Sequence, residues 1–270
     1  MVVYRRMVLT RPTFLDLVTP LTNYASTLAE KDIKAKGIKV TVLGEDIREH
    51  PPPPNIPPGA PINTCTRAMF ESAITSNDPI FYANFGHGDV DCIVSTDDCL
   101  VDLLNVGLLK DRVAYVFSCY TAQKLGPAAI RAGCKTYVGW DDVIFAVYTE
   151  VRPGLYGPAD GNIETMTKFP VEFAGGLTTE EAFKKTLEEY DKWISYWKGK
   201  DPNCYSQFAW NKEHLVFLGD KTERIISPLE FQLNQMISQF IPMLIMATVM
   251  STLTSIIEMV RAPEKLNLHK

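Results

Sequence analysis

Two short stretches bring reactive side chains to the ends of apolar runs. In "YANFGHGDVD" (82–91) the run from Ile80 to Phe85 stops at His87, held between Gly86 and Gly88. In "VAYVFSCYTA" (113–122) a second run stops at Ser118-Cys119. A thiolate is a strong nucleophile, and a nearby imidazole can stabilise it and carry its proton to a leaving amine. Acyl transfer also needs donors for the oxyanion that develops. Glycine at 88 lets a backbone N–H approach a substrate carbonyl closely, and the N–H of Cys119 is the natural second donor. Taken singly, a cysteine at a strand end is most often a small core residue, and a histidine beside glycine a turn residue. Paired on one sheet edge, they point to nucleophilic chemistry.

The elements that would position them alternate. Met7 to Thr10 reads as a strand. "PTFLDLVTPLTNYASTLAEKDIKAKG" (12–37) has apolar residues at helical spacing from Phe14 to Leu28, with Pro20 expected to kink or divide the helix and Gly37 to end it. "IKVTVL" (38–43) alternates as a strand does, so the opening is a right-handed strand–helix–strand crossover. A capped helix at 63–74, strands at 80–84 and 113–117, a helix at 125–133 and the strand "KTYVGW" follow. "TTEEAFKKTLEEYDKWISYW" (178–197) is a strong helix with a Thr178–Glu181 capping box, and "HLVFLGD" (214–220) is a last strand. This order specifies an α/β fold, a mostly parallel sheet with helices on both faces. Sites in such sheets form at the carboxyl ends of strands, which is where His87 and Cys119 lie.

Composition narrows the function. At 270 residues and 46% hydrophobic content the chain can bury a full core. Net charge is −5 with no basic stripe, which argues against nucleic acid as a partner. Six cysteines (65, 92, 99, 119, 134, 204) without CxxC pairs argue against a zinc ribbon or a disulfide framework and suit a reducing, cytoplasmic compartment. A metal site from His87, Cys92, Cys99 and Cys119 would draw on separate loops, and the acidic "DVDCIVSTDDC" (89–99) fits no EF-hand; no metal or cofactor is expected. "HPPPPNIPPGAP" (50–61) reads as a stiff surface loop rather than a proline-recognition element.

"GHG" after one strand and "FSC" after the next resemble the histidine–glycine and small-residue–cysteine dyad of the caspase-like cysteine peptidases, above all the gingipain-type branch. The opening "MVLTRPTFLDLVTPLTNYASTLAEKDIKAKGIKVTVLGEDI", "LLN" at 103–105, "RAGCKTYVGW" and "FLGDKTERI" resemble that branch in matching order, over residues 4 to 226. The resemblance implies a caspase-like fold and a cysteine endopeptidase acting on a peptide or protein substrate. It implies a His87/Cys119 dyad, an oxyanion hole from the Gly88 and Cys119 backbone, and no acidic third member. The rival class is a non-catalytic or adaptor member of the same fold, acting by binding alone.

In caspase-like enzymes the substrate residue before the cut is held near the ends of the central strands, where this chain has "GWDD". Asp141 and Asp142 could pair with an arginine or lysine while Trp140 packs on its stem, or the acids could simply dress a helix start. Residues 1–228 are thus expected to be the catalytic domain and 229–270 a C-terminal apolar helix. Phe231 to Ile257 is strongly apolar, and Thr248, Ser251, Thr252 and Ser255 share one helical face. Residues 231–260 are expected to be buried by a membrane or by a second copy of the chain.

Overall fold

The computed structural model describes residues 5–49, 57–146, 157–226, 230, 236, 240, 246 and 248–257. The chain divides into two compact units, one ending at Ile225 and the other starting at Ile226.

In the first unit, strands β1 (Arg6–Thr10), β2 (Lys39–Leu43), β3 (Phe81–Phe85), β7 (Val113–Phe117), β8 (Thr136–Trp140) and β9 (Leu215–Gly219) form a six-stranded sheet. Its order is β2-β1-β3-β7-β8-β9, with every pair parallel except the antiparallel β8–β9. Between β3 and β7 the short strands β4 (Gly88–Asp89), β5 (Cys92–Val94) and β6 (Cys99–Asp102) make a separate antiparallel sheet. The fold is α/β with helices against both faces, as the alternating pattern requires.

The two faces differ because side chains alternate along each strand. On one face Phe81 and Tyr115 pack against Phe169 of α4 (Pro158–Ala174), and Phe117 stacks edge-on against Trp140. On the other, Val8, Tyr82, Ala114 and Tyr137 join a cluster with Phe70 of α2 (Arg67–Asn77) and Leu125 of α3 (Leu125–Arg131). Helix α5 (Thr179–Trp197) carries the expected capping box: Glu181 N–H donates to Thr178 Oγ1 and Thr178 N–H to Glu181 Oε2.

Three expectations change. Helix α1 (Thr19–Ala35) begins where the proline was expected to kink it. Pro20 sits in the first turn, where its missing N–H costs nothing, and residues 12–18 are a loop. Helices α4 and α6 (Pro202–Glu213) were not anticipated. The acidic 89–99 stretch holds strand β5 and one end each of β4 and β6, and Cys92 and Cys99 form a disulfide across it, a single bridge where the scattered cysteines argued against a disulfide framework. Disulfides persist in oxidising surroundings, and this one removes the compositional argument for a reducing compartment.

In the second unit, Thr248–Ile257 is helical and exposed, and the hydroxyls of Thr252, Thr254 and Ser255 donate to carbonyls four residues back (2.9–3.0 Å). Among the described residues no helix is long and apolar enough to cross a membrane. Most of the apolar 231–260 stretch, like residues 50–56 of the proline tract, lies outside the described residues.

Candidate active site

Strands β3 and β7 pair in register, Phe85 opposite Phe117, and Gly86 N–H donates to Phe117 C=O at 3.1 Å. His87 and Cys119 each follow two residues beyond that last pair, so they leave neighbouring strands at the same level and on the same edge. Gly88 ties the two turns together. A Cβ there would lie 2.6–2.9 Å from Thr121 Cγ2, Ser118 Cβ and Cys119 O, so only glycine lets the turns pack this closely. Val94 N–H donates to His87 C=O, which makes Gly88 and Ile93 a non-hydrogen-bonded pair of the β4–β5 ladder. The Gly88 N–H therefore points away from β5. The Cys119 N–H makes no backbone–backbone hydrogen bond among the described residues and acts on its own sulfur. Of the two expected oxyanion donors, the Gly88 N–H thus faces away from its own ladder, while the Cys119 N–H is turned toward the Cys119 sulfur.

Beneath the edge runs a buried polar chain. Thr10 Oγ1 donates to Asn84 Oδ1 (2.6 Å), and Asn84 Nδ2 donates to Ser118 Oγ (2.8 Å). With its one proton committed, the Thr10 hydroxyl accepts from Tyr82 (3.0 Å). Side chains from β1 and β3 thereby fix the residue before Cys119. The turn beyond is tight: Tyr120 adopts a left-handed φ of 62°, and its N–H donates to Asp142 C=O (3.1 Å).

Sequence reasoning missed Asp16. Its Oδ2 meets His87 Nε2 at 2.7 Å, while its Oδ1 accepts the N–H groups of Val18 (2.7 Å) and Thr19 (2.8 Å) at the start of α1. Burial alone would raise this carboxyl, but those hydrogen bonds outweigh it and bring it down to about 2 from 3.8. An ionised carboxylate only accepts, so the Nε2 nitrogen carries a proton toward Asp16, and Nδ1 is the basic nitrogen of the neutral ring. The loop bearing Asp16 is held from the side by residues 59–62: Leu15 N–H donates to Ala60 C=O, Gly59 N–H to Leu15 C=O, and Ile62 N–H to Thr13 C=O (2.8–2.9 Å). Phe14 of the same loop lies beside the His87 ring, with centroids 5.6 Å apart.

Cys119 is partly buried, and its sulfur accepts the N–H of Ile144 at 3.3 Å. Burial pushes the thiol up and the Asp142 charge adds to this, while the Ile144 N–H works the other way. At rest it is a neutral thiol.

The residues after β8 part company. Trp140 is fully buried, wedged against Tyr115 and Phe117, and its Nε1 donates to Asn211 C=O (2.8 Å). It presents no face to a bound cation, because the alternation of β8 turns it into the aromatic core. Asp141 Oδ1 is taken by His214 Nδ1 at 2.8 Å. Asp142 lies near enough to Cys119 for its charge to oppose the thiolate, and its Oδ1 accepts only the neighbouring Val143 N–H among the described residues. The disulfide uses both Cys92 and Cys99, so neither is a thiolate ligand, and the described residues hold no cluster able to bind a metal ion. Asp16, His87, Cys119 and Asp142 thus follow β1, β3, β7 and β8, four adjacent strands with their carboxyl ends on one edge.

No protein-family model matches the chain, and no curated protein matches it.

Proposed function

We propose that the chain is a caspase-like cysteine endopeptidase that cleaves peptide bonds with His87 and Cys119. The observation that carries this reading is their common register beyond paired parallel strands, with Asp16 bonded to the imidazole. Cys119 Sγ attacks the scissile carbonyl carbon and its proton passes to His87 Nδ1, the nitrogen left free by the Nε2–Asp16 bond. The carbonyl oxygen, now negative, accepts the N–H groups of Gly88 and Cys119. The C–N bond breaks as His87 returns the proton to the departing amine, leaving a thioester. Water, giving a proton to His87, then hydrolyses the thioester and restores the thiol. Asp16 orients the ring and offsets the positive charge it gains. Asp142, the acid beside the nucleophile, favours a basic residue before the cut.

The high-lying thiol favours a second reading, a binding-only member of the same fold that does no chemistry. A peptidyl chloromethyl ketone ending in arginine separates the two. Labelling of Cys119 in the wild type, lost in a folded His87→Ala variant, supports the peptidase. Absence of labelling in the wild type overturns it in favour of binding.

A further inference from the structure

The segment after β8 runs past the nucleophile, and helix α6 grips its backbone. Asn211, only 2% exposed, makes two bonds to one residue: Phe145 N–H donates to its Oδ1 (2.9 Å), and its Nδ2 donates to Phe145 C=O (2.7 Å). One residue earlier, Trp210 Nε1 donates to Val143 C=O (3.0 Å), and its ring stacks edge-on against Phe145 at 5.8 Å. These bonds flank Ile144, whose N–H lies on the Cys119 sulfur at 3.3 Å. The clamp itself rests on the core, since Asn211 C=O accepts the buried Trp140 indole. A buried asparagine that mimics a strand partner for a single residue fixes that residue's orientation, because either group left unpaired is costly.

We propose that Asn211, assisted by Trp210, is a positioning residue that holds the Ile144 N–H on Cys119 Sγ, where it stabilises the thiolate that attacks. This rests on the reading of Cys119 as the nucleophile. The stabilisation comes from a fixed backbone donor, which needs no counter-charge and no reorganisation as the sulfur becomes negative. It opposes burial and Asp142, the influences that hold the thiol neutral. The other ionisable residues nearest Cys119 by register and sequence are His87, level with it on the next strand, and Tyr120, next in the chain. His214, at the end of α6, is already paired with Asp141.

The test is the pH profile of Cys119 alkylation by iodoacetamide in the full-length chain, read on the Cys119 peptide by mass spectrometry. Asn211→Leu keeps the volume and removes both side-chain bonds. Its profile should move up by about one pH unit, with alkylation near neutral pH about tenfold slower. Ile144→Pro, which deletes the N–H itself, should move it as far. Trp210→Phe, which keeps a ring and loses one bond, should move it part of the way. A clamp that only shields the sulfur gives the opposite sign, since loosening it would expose Cys119 and speed alkylation. Faster alkylation or an unmoved profile in folded Asn211→Leu overturns the proposal, and if that variant does not fold, the same outcomes in Trp210→Phe do so. The assay needs no peptide cleavage, so a chain that cleaves nothing yet shows the shift sinks the peptidase reading and leaves the clamp standing.

Discussion

One carboxylate, Asp16, does two jobs with its two oxygens: it closes the start of α1 and holds His87. Its folded value near 2 lies below the ordinary 3.8, so its contribution to stability is complete above about pH 4 and is lost as pH falls through 2. Asp16→Asn should therefore lower stability at neutral pH, with the gap to the wild type closing between pH 4 and 2 in urea titrations. In peptide cleavage the same variant should lose about a hundredfold in kcat/KM, since the amide neither fixes the tautomer nor offsets charge. An unchanged rate would reduce Asp16 to a helix cap. Thiols are a second residue-scale test. The denatured, unreduced chain should titrate four free thiols, those of Cys65, Cys119, Cys134 and Cys204, whereas six would mean that Cys92 and Cys99 do not pair.

At the scale of elements, the strands hold the site through the Tyr82–Thr10–Asn84–Ser118 chain. Asn84→Leu strands the buried Ser118 hydroxyl and leaves Thr10 only its Tyr82 partner. It should cost about 1–3 kcal/mol in urea unfolding and reduce activity by displacing the residue before Cys119. Thr178→Ala, which removes the α5 cap far along the chain from the site, should cost about 1 kcal/mol and leave kcat/KM alone. The central strands were legible in the sequence because β3, β7 and β8 are buried runs bounded by turn residues, and with them the placement of His87 and Cys119 at one edge of the sheet. Asp16 was not legible, for a definite reason. Phe14, Leu17 and Val18 continue the apolar spacing of α1 backwards through a loop, and a helical reading hides Asp16 on its surface. Pro20 was the available signal, since proline favours a helix's first turn over its middle. Trp140 was misplaced for a related reason: strand alternation alone does not say which face is the aromatic core. Helix α6 bears a weak apolar pattern because its buried residues include Gln207 and Asn211, polar groups spent on tertiary bonds.

For the molecule as a whole, the boundary at Ile225–Ile226 follows β9 and leaves the six-stranded sheet in one unit. A chain ending at residue 228 should then melt as one cooperative unit at a temperature close to that of the full chain, and run as a monomer in size-exclusion chromatography. Unfolding of the truncated chain would show that the tail belongs to the core. The apolar residues of Thr248–Ile257, Val249, Met250, Leu253, Ile256 and Ile257, are each about half exposed, more apolar surface than one helix leaves in water without a partner. Full-length protein should accordingly self-associate or require detergent where the truncated chain does neither.

Whether this edge of the sheet performs chemistry is decided by incubating the chain with a mixed peptide library and reading the cut sites by mass spectrometry. The wild type should cut, chiefly after arginine or lysine, and cutting should vanish on thiol alkylation and in a Cys119→Ala variant whose circular dichroism and melting match the wild type. Cleavage that survives Cys119→Ala, or a wild type that cuts nothing, would contradict the account.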